Sequence, residues 1–109
     1  MSPAAGPAVG WSDRVDLEFS APLFRWVGPA PWYFVAVPAE RCDGLRAASA
    51  FVTYGWGMIP VRARIGTTHW KTSLWPKDGV YLLPVKASVR EAEGIEEGDS
   101  VSVGLDVGR

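Results

Sequence analysis

Basic side chains alternate along two neighbouring stretches of the chain that a Gly-Thr pair separates. Arg62 and Arg64 precede this pair at 66–67, and His69 and Lys71 follow it. If the pair forms a two-residue hairpin turn, Arg64 lies opposite His69 and Arg62 opposite Lys71, so all four share one face. Guanidinium groups bind oxyanions through paired hydrogen bonds. This basic hairpin face therefore predicts a site for a small anionic ligand or for an acidic protein surface.

A second interpretation of the basic hairpin face needs no ligand. Like charges directly opposite each other on paired strands destabilise the pair by up to about 1 kcal/mol, so the cations need solvent or compensation. Asp16 and Glu18 alternate along an earlier strand-like segment. If that strand lies beside the hairpin, its carboxylates neutralise the cations. The sequence leaves both interpretations open.

Two further cations stand one helical turn apart in the second half of the chain. Lys86 and Arg90 have the spacing of neighbours on a helix surface. They could extend the basic hairpin face and contact the same ligand. Alternatively they form a solvated helix face, with Arg90 close to Glu91 or Glu93.

The chain is rich in tryptophan, and aromatic rims bind bases, sugars and cations by stacking. Large rings are also an economical filling for the core of a small barrel, and we expect most of them to pack there. Trp56 and Trp75 stand among turn residues, so we expect these two to be exposed and open to a ligand or protein partner. The tryptophans are at positions 11, 26, 32, 56, 70 and 75.

Groups suited to catalysis or to metal binding are scarce. Cys42 and His69 are the only residues of their types, and no CxxC, HxxxH, Ser-His-Asp or phosphate-loop pattern is present. Cys42 is expected to be a partly buried small side chain near the start of a helix. The sequence predicts no catalytic residue, no metal and no cofactor, and a protein that is not an enzyme.

Alternating apolar residues predict the strands that position these groups, and helical spacing or composition predicts two short helices. One helix covers 39–50, and the other runs for about ten residues from Val85 to a glycine cap at Gly94. The expected fold is mainly β, a small closed β-barrel of six to seven short strands with two short helices. The strand segments are 15–20, 23–27, 32–37, 58–65, 68–74, 80–83 and 101–107.

The two halves of this plan are alike. In each, a strand ends in a proline, Pro38 or Pro84, and a short helix, a glycine-bearing turn and another strand follow. This weak repeat indicates a pseudo-twofold arrangement in the barrel. Residues 1–12, which are rich in Ala, Pro and Gly, are expected to form a flexible leader, and 13–109 a single barrel domain.

Length and charge limit the possible partners. A chain of 109 residues has room for one compact domain, and its net charge of −1 creates no positive field to attract nucleic acid. The N-terminus lacks the cationic and apolar regions of a signal peptide, and no apolar run is long enough to span a membrane. We therefore expect a cytoplasmic protein, with nucleic acid and membrane disfavoured as partners.

The order of several motifs resembles the domain-of-unknown-function family numbered nineteen-oh-five, over roughly residues 15–107. This resemblance implies a small double-split β-barrel found in bacteria and archaea, here in its stand-alone form and not fused to a bacteriocin-protection type domain. The motifs are FSA at 19–21, WYFVAVP at 32–38, VRARIG at 61–66, KTSLWP at 71–76, DGVYLLPVK at 78–86 and GDSVSV at 98–103.

The second half, from LPVK at 83–86 through GDSV at 98–101, also resembles the swapped-hairpin module of AbrB and MazE transcription factors and antitoxins. Those proteins dimerise to close a barrel. Two such halves in one chain would let a monomer close it, so we expect a monomer and not a dimer. No DNA-contacting motif carries over residue by residue.

The leading prediction for function is a cytoplasmic binding module for a small anionic ligand or an acidic partner surface. One alternative is an AbrB/MazE-like DNA-associated regulator or antitoxin-type protein. Another is a structural protein-interaction domain. The candidate ligand-binding residues are Arg62, Arg64, His69, Lys71, Lys86, Arg90, Trp56 and Trp75.

Overall fold

The structure, a computed structural model, describes residues 15–26, 32–49 and 57–107, with only the backbone of Val15, Asp16 and 47–49. The predicted leader and Trp56 lie outside these described residues. Eight elements follow one another along the chain. They are β1 Val15–Trp26, β2 Trp32–Ala36, α1 Ala39–Ser49, β3 Ile59–Ile65, β4 Thr68–Lys77, β5 Val80–Pro84, α2 Ala87–Glu93 and β6 Ser100–Val107.

The six strands form a closed antiparallel barrel in the order β1-β2-β5-β4-β3-β6. This confirms the expected mainly β barrel with two helices. Six strands form and not seven, because the segments predicted at 15–20 and 23–27 are one continuous strand, β1.

The strands β1 and β4 are each shared between two sheets. Beside part of each shared strand there is a gap between the two sheets. β1 pairs with β6 over Val15–Pro22 and with β2 over Leu23–Trp26. β4 pairs with β3 over Thr68–Leu74 and with β5 over Trp75–Lys77. Among the described residues, each shared strand therefore has a stretch that pairs with a strand on one side only. We call the opening beside residues 68–74 the β4 split.

The topology maps onto itself when the two halves of the chain are exchanged. The segment β1-β2-α1-β3 corresponds to β4-β5-α2-β6. Replacing each strand by its counterpart leaves the cyclic strand order unchanged. The repeat around Pro38 and Pro84 thus reflects a pseudo-twofold barrel within a single chain.

The core fills the barrel because every second side chain of a strand points inward. In β3, Val61, Ala63 and Ile65 are buried, whereas Arg62 between them is exposed. A fully buried side chain of the size of Val or Leu contributes about 1.5–3 kcal/mol. From α1, Leu45 and the predicted buried thiol of Cys42 complete the core.

Helix α2 is shorter at its start than the sequence predicts. The predicted helix begins at Val85, but the N–H of Val85 donates to the carbonyl of Tyr33, and Lys86 is still extended with ψ 162°. Because these residues continue the β5 strand, α2 begins at Ala87 and has 7 residues. Its end is as predicted, with Gly94 in the left-handed conformation at φ 63°.

Neither of the two helices in the described residues is long and apolar enough to cross a membrane.

Candidate functional site

The predicted register of the β3–β4 hairpin is confirmed. Arg62 lies opposite Lys71, and Arg64 lies opposite His69. Gly66 opens the turn with φ 60°, a conformation that glycine adopts without strain. The four basic residues of the hairpin face therefore share the outer surface of one sheet.

Acidic residues on neighbouring strands compensate the centre of the basic hairpin face. A guanidinium nitrogen of Arg64 lies 3.0 Å from a carboxylate oxygen of Glu18 on β1. Gly104 of β6 lies between them in register, and a Cβ there would collide with the guanidinium of Arg64. The lack of a side chain at this position lets Arg64 reach across β6. The pairing with Glu18 that the sequence left open is thus present.

Beside this ion pair, Asp106 of β6 lies directly opposite Arg62. Asp106 could not be identified from the sequence, because its alternation within β6 does not show which strand β6 adjoins. A hollow of about 690 Å³ collects Arg62, Arg64 and His69 with Glu18, Asp106 and Arg41 of α1. We call it the charged hollow. Both signs of charge line it.

A second concavity, of about 590 Å³, lies in the β4 split, and we call it the aromatic groove. It is lined by β4, by the ends of β2 and β5, and by the start of α2. Four of the predicted candidates meet there, and none of these four lines the charged hollow. They are Lys71, Trp75, Lys86 and Arg90.

Arg90 is half-buried and held in place on the wall of the groove. Its guanidinium carbon lies 3.8 Å from the centre of the Tyr33 ring, and its Nε donates to the carbonyl of Val85 at 3.3 Å. The solvated position beside Glu91 or Glu93 is therefore wrong for Arg90. Lys86, by contrast, is exposed.

No carboxylate of the described residues forms an ion pair with the positive charges of the aromatic groove. Lys71, Lys86 and Arg90 line it, and none of the described lining residues is acidic. The other lining residues are aromatic or uncharged, namely Trp32, Tyr33, Met58, Trp70, Thr72, Ser73, Trp75, Pro84, Val85 and Ala87.

A cluster of aromatic rings covers the outer face of the sheet next to the groove. Phe34 lies at its centre, only 2% exposed although it is outside the main core. Trp75 packs 5.3 Å from the ring centres of both Phe34 and Trp32. Trp26 packs edge-on against Phe34 at 6.2 Å. Trp32 and Trp75 are both cluster members and groove-lining residues, so the cluster forms the outer wall of the groove.

The exposed tryptophans are not the expected ones. Trp75, which was expected to be exposed, is half-buried. Trp26 and Trp32 are the exposed ones, at 38% and 46%. Alternation shows that Trp26 and Trp32 share a face with Phe34, but it does not show that this face is the outer one. Of the four tryptophans that the structure describes, only Trp70 is in the core, so the expectation that most of them pack there is wrong for these four.

One contact fastens α2 beside the groove. The hydroxyl of Thr68 donates to the carboxylate of Glu93, and this carboxylate lies against Gly66 in the hairpin turn. The bond joins the start of β4 to the end of α2, the two walls of the groove. The sequence carried no signal for it, because Thr68 and Glu93 are 25 residues apart.

No three His, Cys, Asp or Glu side chains of the described residues come together as a metal site would require. The chemistry that the groove offers is therefore that of its cations and rings. Cations attract oxyanions, and flat rings stack on planar or apolar groups.

Fold and site together define a small, mainly β protein whose closed barrel is split beside its two shared strands. The family model described as Domain of unknown function (DUF1905) matches residues 19–105, and the chain belongs to this family. The resemblance seen in the sequence is thereby confirmed, while the likeness to AbrB and MazE stays a prediction. No curated protein matches the chain.

Proposed function

We propose that this protein is a binding module whose aromatic groove takes a small anionic ligand with a flat apolar part. The charge of the groove carries the proposal, because Lys71, Lys86 and Arg90 line it without an acidic residue among the described lining residues. Its volume of about 590 Å³ is in the range of small-molecule sites. The function proposed is binding and not catalysis, and a cytoplasmic location stays a prediction.

Each side of the groove has a distinct part in this binding. The ammonium groups of Lys71 and Lys86 attract the anion, and the Arg90 guanidinium donates hydrogen bonds to it. Because Arg90 is already stacked on Tyr33, ordering it costs less than ordering a free side chain. The rings of Trp32 and Trp75 pack against the apolar part of the ligand.

The charged hollow is a weaker candidate for the same ligand. An anion near Arg64 must compete with Glu18 at 3.0 Å, and one near Arg62 meets the carboxylate of Asp106 across the ladder. In the aromatic groove no carboxylate of the described lining residues competes with an incoming anion. This contrast favours the groove over the basic hairpin face as the binding site.

Binding of 2-naphthoate, which has a carboxylate on a flat ring system, tests the proposal by calorimetry and tryptophan fluorescence. A hydrogen bond to a charged group is worth about 1.5–3 kcal/mol. The double variant Lys71→Ala/Lys86→Ala should therefore bind at least about tenfold more weakly than the wild type. The matched control Arg41→Ala/Arg62→Ala removes the same charge from the charged hollow and should bind as the wild type does.

Three outcomes would overturn this assignment. Equal affinity in all three proteins removes the groove as the site, and loss in the control variant alone moves the site to the basic hairpin face. Inorganic phosphate and a short DNA duplex are titrated alongside. Salt-sensitive binding of the duplex, without binding of 2-naphthoate, would favour the DNA-associated regulator instead.

The exposure of Trp26 and Trp32, at 38% and 46%, favours a protein-interaction domain as a second candidate. Trp26 does not line the aromatic groove, so it separates the two functions. The variant Trp26→Ser should keep its affinity for 2-naphthoate. If a partner covers the aromatic cluster, the same variant should lose that partner in a pull-down with purified candidate proteins, whereas Lys71→Ala/Lys86→Ala should retain it.

A further inference from the structure

The edge of strand β4 forms one wall of the aromatic groove. Four consecutive residues of β4, from Trp70 to Ser73, line the groove. Successive side chains of a strand point to opposite faces, so a surface that all four residues contact must run along the edge between those faces. Residues 68–74 pair with β3 on their other side, and β5 joins β4 only from Trp75 onward.

The hairpin geometry shows which backbone groups point into the groove. In a two-residue hairpin the residues that flank the turn, here Ile65 and Thr68, form a hydrogen-bonded pair. Hydrogen-bonded and non-hydrogen-bonded pairs then alternate along the ladder. Lys71 falls in a non-hydrogen-bonded pair with Arg62, so its N–H and C=O point away from β3 and into the β4 split. Among the described residues, no backbone hydrogen bond outside the strand ladders involves Lys71.

An edge that no strand of the described residues occupies is a template for another strand. We propose that the groove binds an acidic peptide in an extended conformation, which adds to β4 as an antiparallel strand with a carboxylate side chain opposite Lys71. This inference rests on the proposed function, an anion site in the groove, and names the class of ligand. Main-chain hydrogen bonds to the edge supply affinity, and the side-chain contacts supply selectivity.

Charge and polarity on the two walls favour an alternating peptide. A residue directly opposite Lys71 has its side chain on the same face, within about 5 Å, where a carboxylate pairs with the ammonium group. Lys86 and Arg90 face it from the other wall of the groove. The next peptide residue points to the opposite face, on which Trp70 and Thr72 lie, and there an apolar side chain fits.

The length of the edge sets the size of the ligand. Four residues of β4 span about 13 Å at the rise of an antiparallel strand. An extended peptide of about four residues therefore covers this edge. From Trp75 onward the edge is occupied, because Trp75 pairs with Leu82 of β5. A peptide longer than this gains no further backbone pairing at that end.

A blocked pentapeptide that alternates glutamate and valine tests the inference, with affinity followed by tryptophan fluorescence and calorimetry. In the proposed pairing the glutamates have their own N–H groups toward β4, and the valines have theirs turned away. N-methylation of the glutamates should therefore weaken binding at least about tenfold, since each lost hydrogen bond costs affinity. N-methylation of the valines should change affinity less than about threefold.

Substitutions in β4 give a second test from the protein side. Lys71→Pro removes the N–H that faces the groove and leaves the ladder to β3 its hydrogen bonds, a position at which an edge strand tolerates proline. Lys71→Ala removes the same ammonium group but keeps the N–H. The proline variant should bind the peptide more weakly than the alanine variant, while the two should bind 2-naphthoate equally. If the proline variant does not fold, the methylated peptides still decide the question.

Failure of this inference can be distinguished from failure of the proposed function. Binding of 2-naphthoate in the groove without binding of the pentapeptide overturns strand addition alone. So does peptide binding that both methylation patterns weaken equally, or that valine methylation weakens more. If neither ligand binds, the anion site and the peptide inference fall together.

Discussion

The two outer faces of this barrel differ although they share strands β1 and β4. On the sheet built from β3 and β6, opposite charges meet, and Arg64 reaches Glu18 across Gly104. On the sheet built from β2 and β5, aromatic rings surround Phe34 and leave Trp32 46% exposed. The first face pairs Arg64 with a carboxylate of its own, whereas the second presents apolar surface to solvent.

The comparison shows why charged residues alone are a poor guide to a site. The basic hairpin face has more cations in the sequence pattern, yet Glu18 pairs with Arg64 and Asp106 lies opposite Arg62. The candidates of the aromatic groove come from β4, from the N-cap of α2 and from α2 itself, and no acidic side chain of the described lining residues opposes them. A site is indicated by cations without partners, which only the assembled barrel reveals.

The largest effect is expected when the central side chain of each face is truncated and the stabilities of the two variants are compared. Phe34→Ala should lower the free energy of unfolding by about 3–5 kcal/mol, because it leaves a cavity among packed rings. Arg64→Ala should lower it by less than about 1 kcal/mol, because both partners of its ion pair are solvent-exposed. Urea denaturation of both variants measures the two values. Similar losses would mean that the two faces contribute alike to stability.

A second test concerns the contact that joins the hairpin to α2. Gly66→Ala should destabilise by about 2–4 kcal/mol, because a side chain at φ 60° is strained and its Cβ displaces the Glu93 carboxylate. Gly94→Ala is the matched control, with φ 63° but open space around it. It should cost about 1–2 kcal/mol.

Thermal denaturation in the background of Glu93→Ala isolates the contribution of this carboxylate. There the extra cost of Gly66→Ala over Gly94→Ala should become smaller. An unchanged difference without the Glu93 side chain would contradict this account of Gly66.

A third test makes the groove resemble the charged hollow. Ala87→Glu places an acid among the groove cations and should weaken 2-naphthoate binding at least about tenfold through repulsion and competition. Ser88→Glu adds the same charge one residue along, at an exposed position outside the groove lining, and should have little effect. Calorimetry compares the two variants, and equal losses would show that only net charge matters.

The smallest effect is expected when an acidic residue is removed from the charged hollow. Glu18→Gln removes the partner of Arg64 and should create weak phosphate binding in the charged hollow, worth less than about 1 kcal/mol relative to the wild type. His69 is the only histidine and lines this hollow. The NMR signals of its ring protons therefore report the addition of phosphate at constant pH. If phosphate changes these signals identically in the wild type and the variant, Glu18 does not shield Arg64 from the anion.

Local features of the fold could be predicted because they depend on neighbouring residues. The Gly-Thr turn sets the register of Arg62 with Lys71, three rungs beyond the Ile65–Thr68 pair, and Gly94 marks the end of α2. The start of α2 could not be predicted in this way. Val85 stays extended because its N–H bonds to Tyr33, which is distant in sequence.

The site was only partly predictable for the same physical reason. Lys71, Lys86, Arg90 and Trp75 were identified as residues, but their convergence depends on β5 leaving β4 after the Trp75–Leu82 pair and pairing with β2. Such long-range pairing leaves no periodic signal along the chain. Tyr33 was missed because it stands in a run that is apolar at every position.

The pseudo-twofold topology also bears on how the barrel tolerates changes in chain connectivity. Val15 pairs with Val107 at the end of the β1–β6 ladder, just as Thr68 pairs with Ile65 at the end of the β3–β4 ladder. A two-residue turn could therefore join 107 to 15, and the chain could be opened at 66–67. This circular permutant would start at β4 and end at β3, with its halves exchanged and its strand order the same.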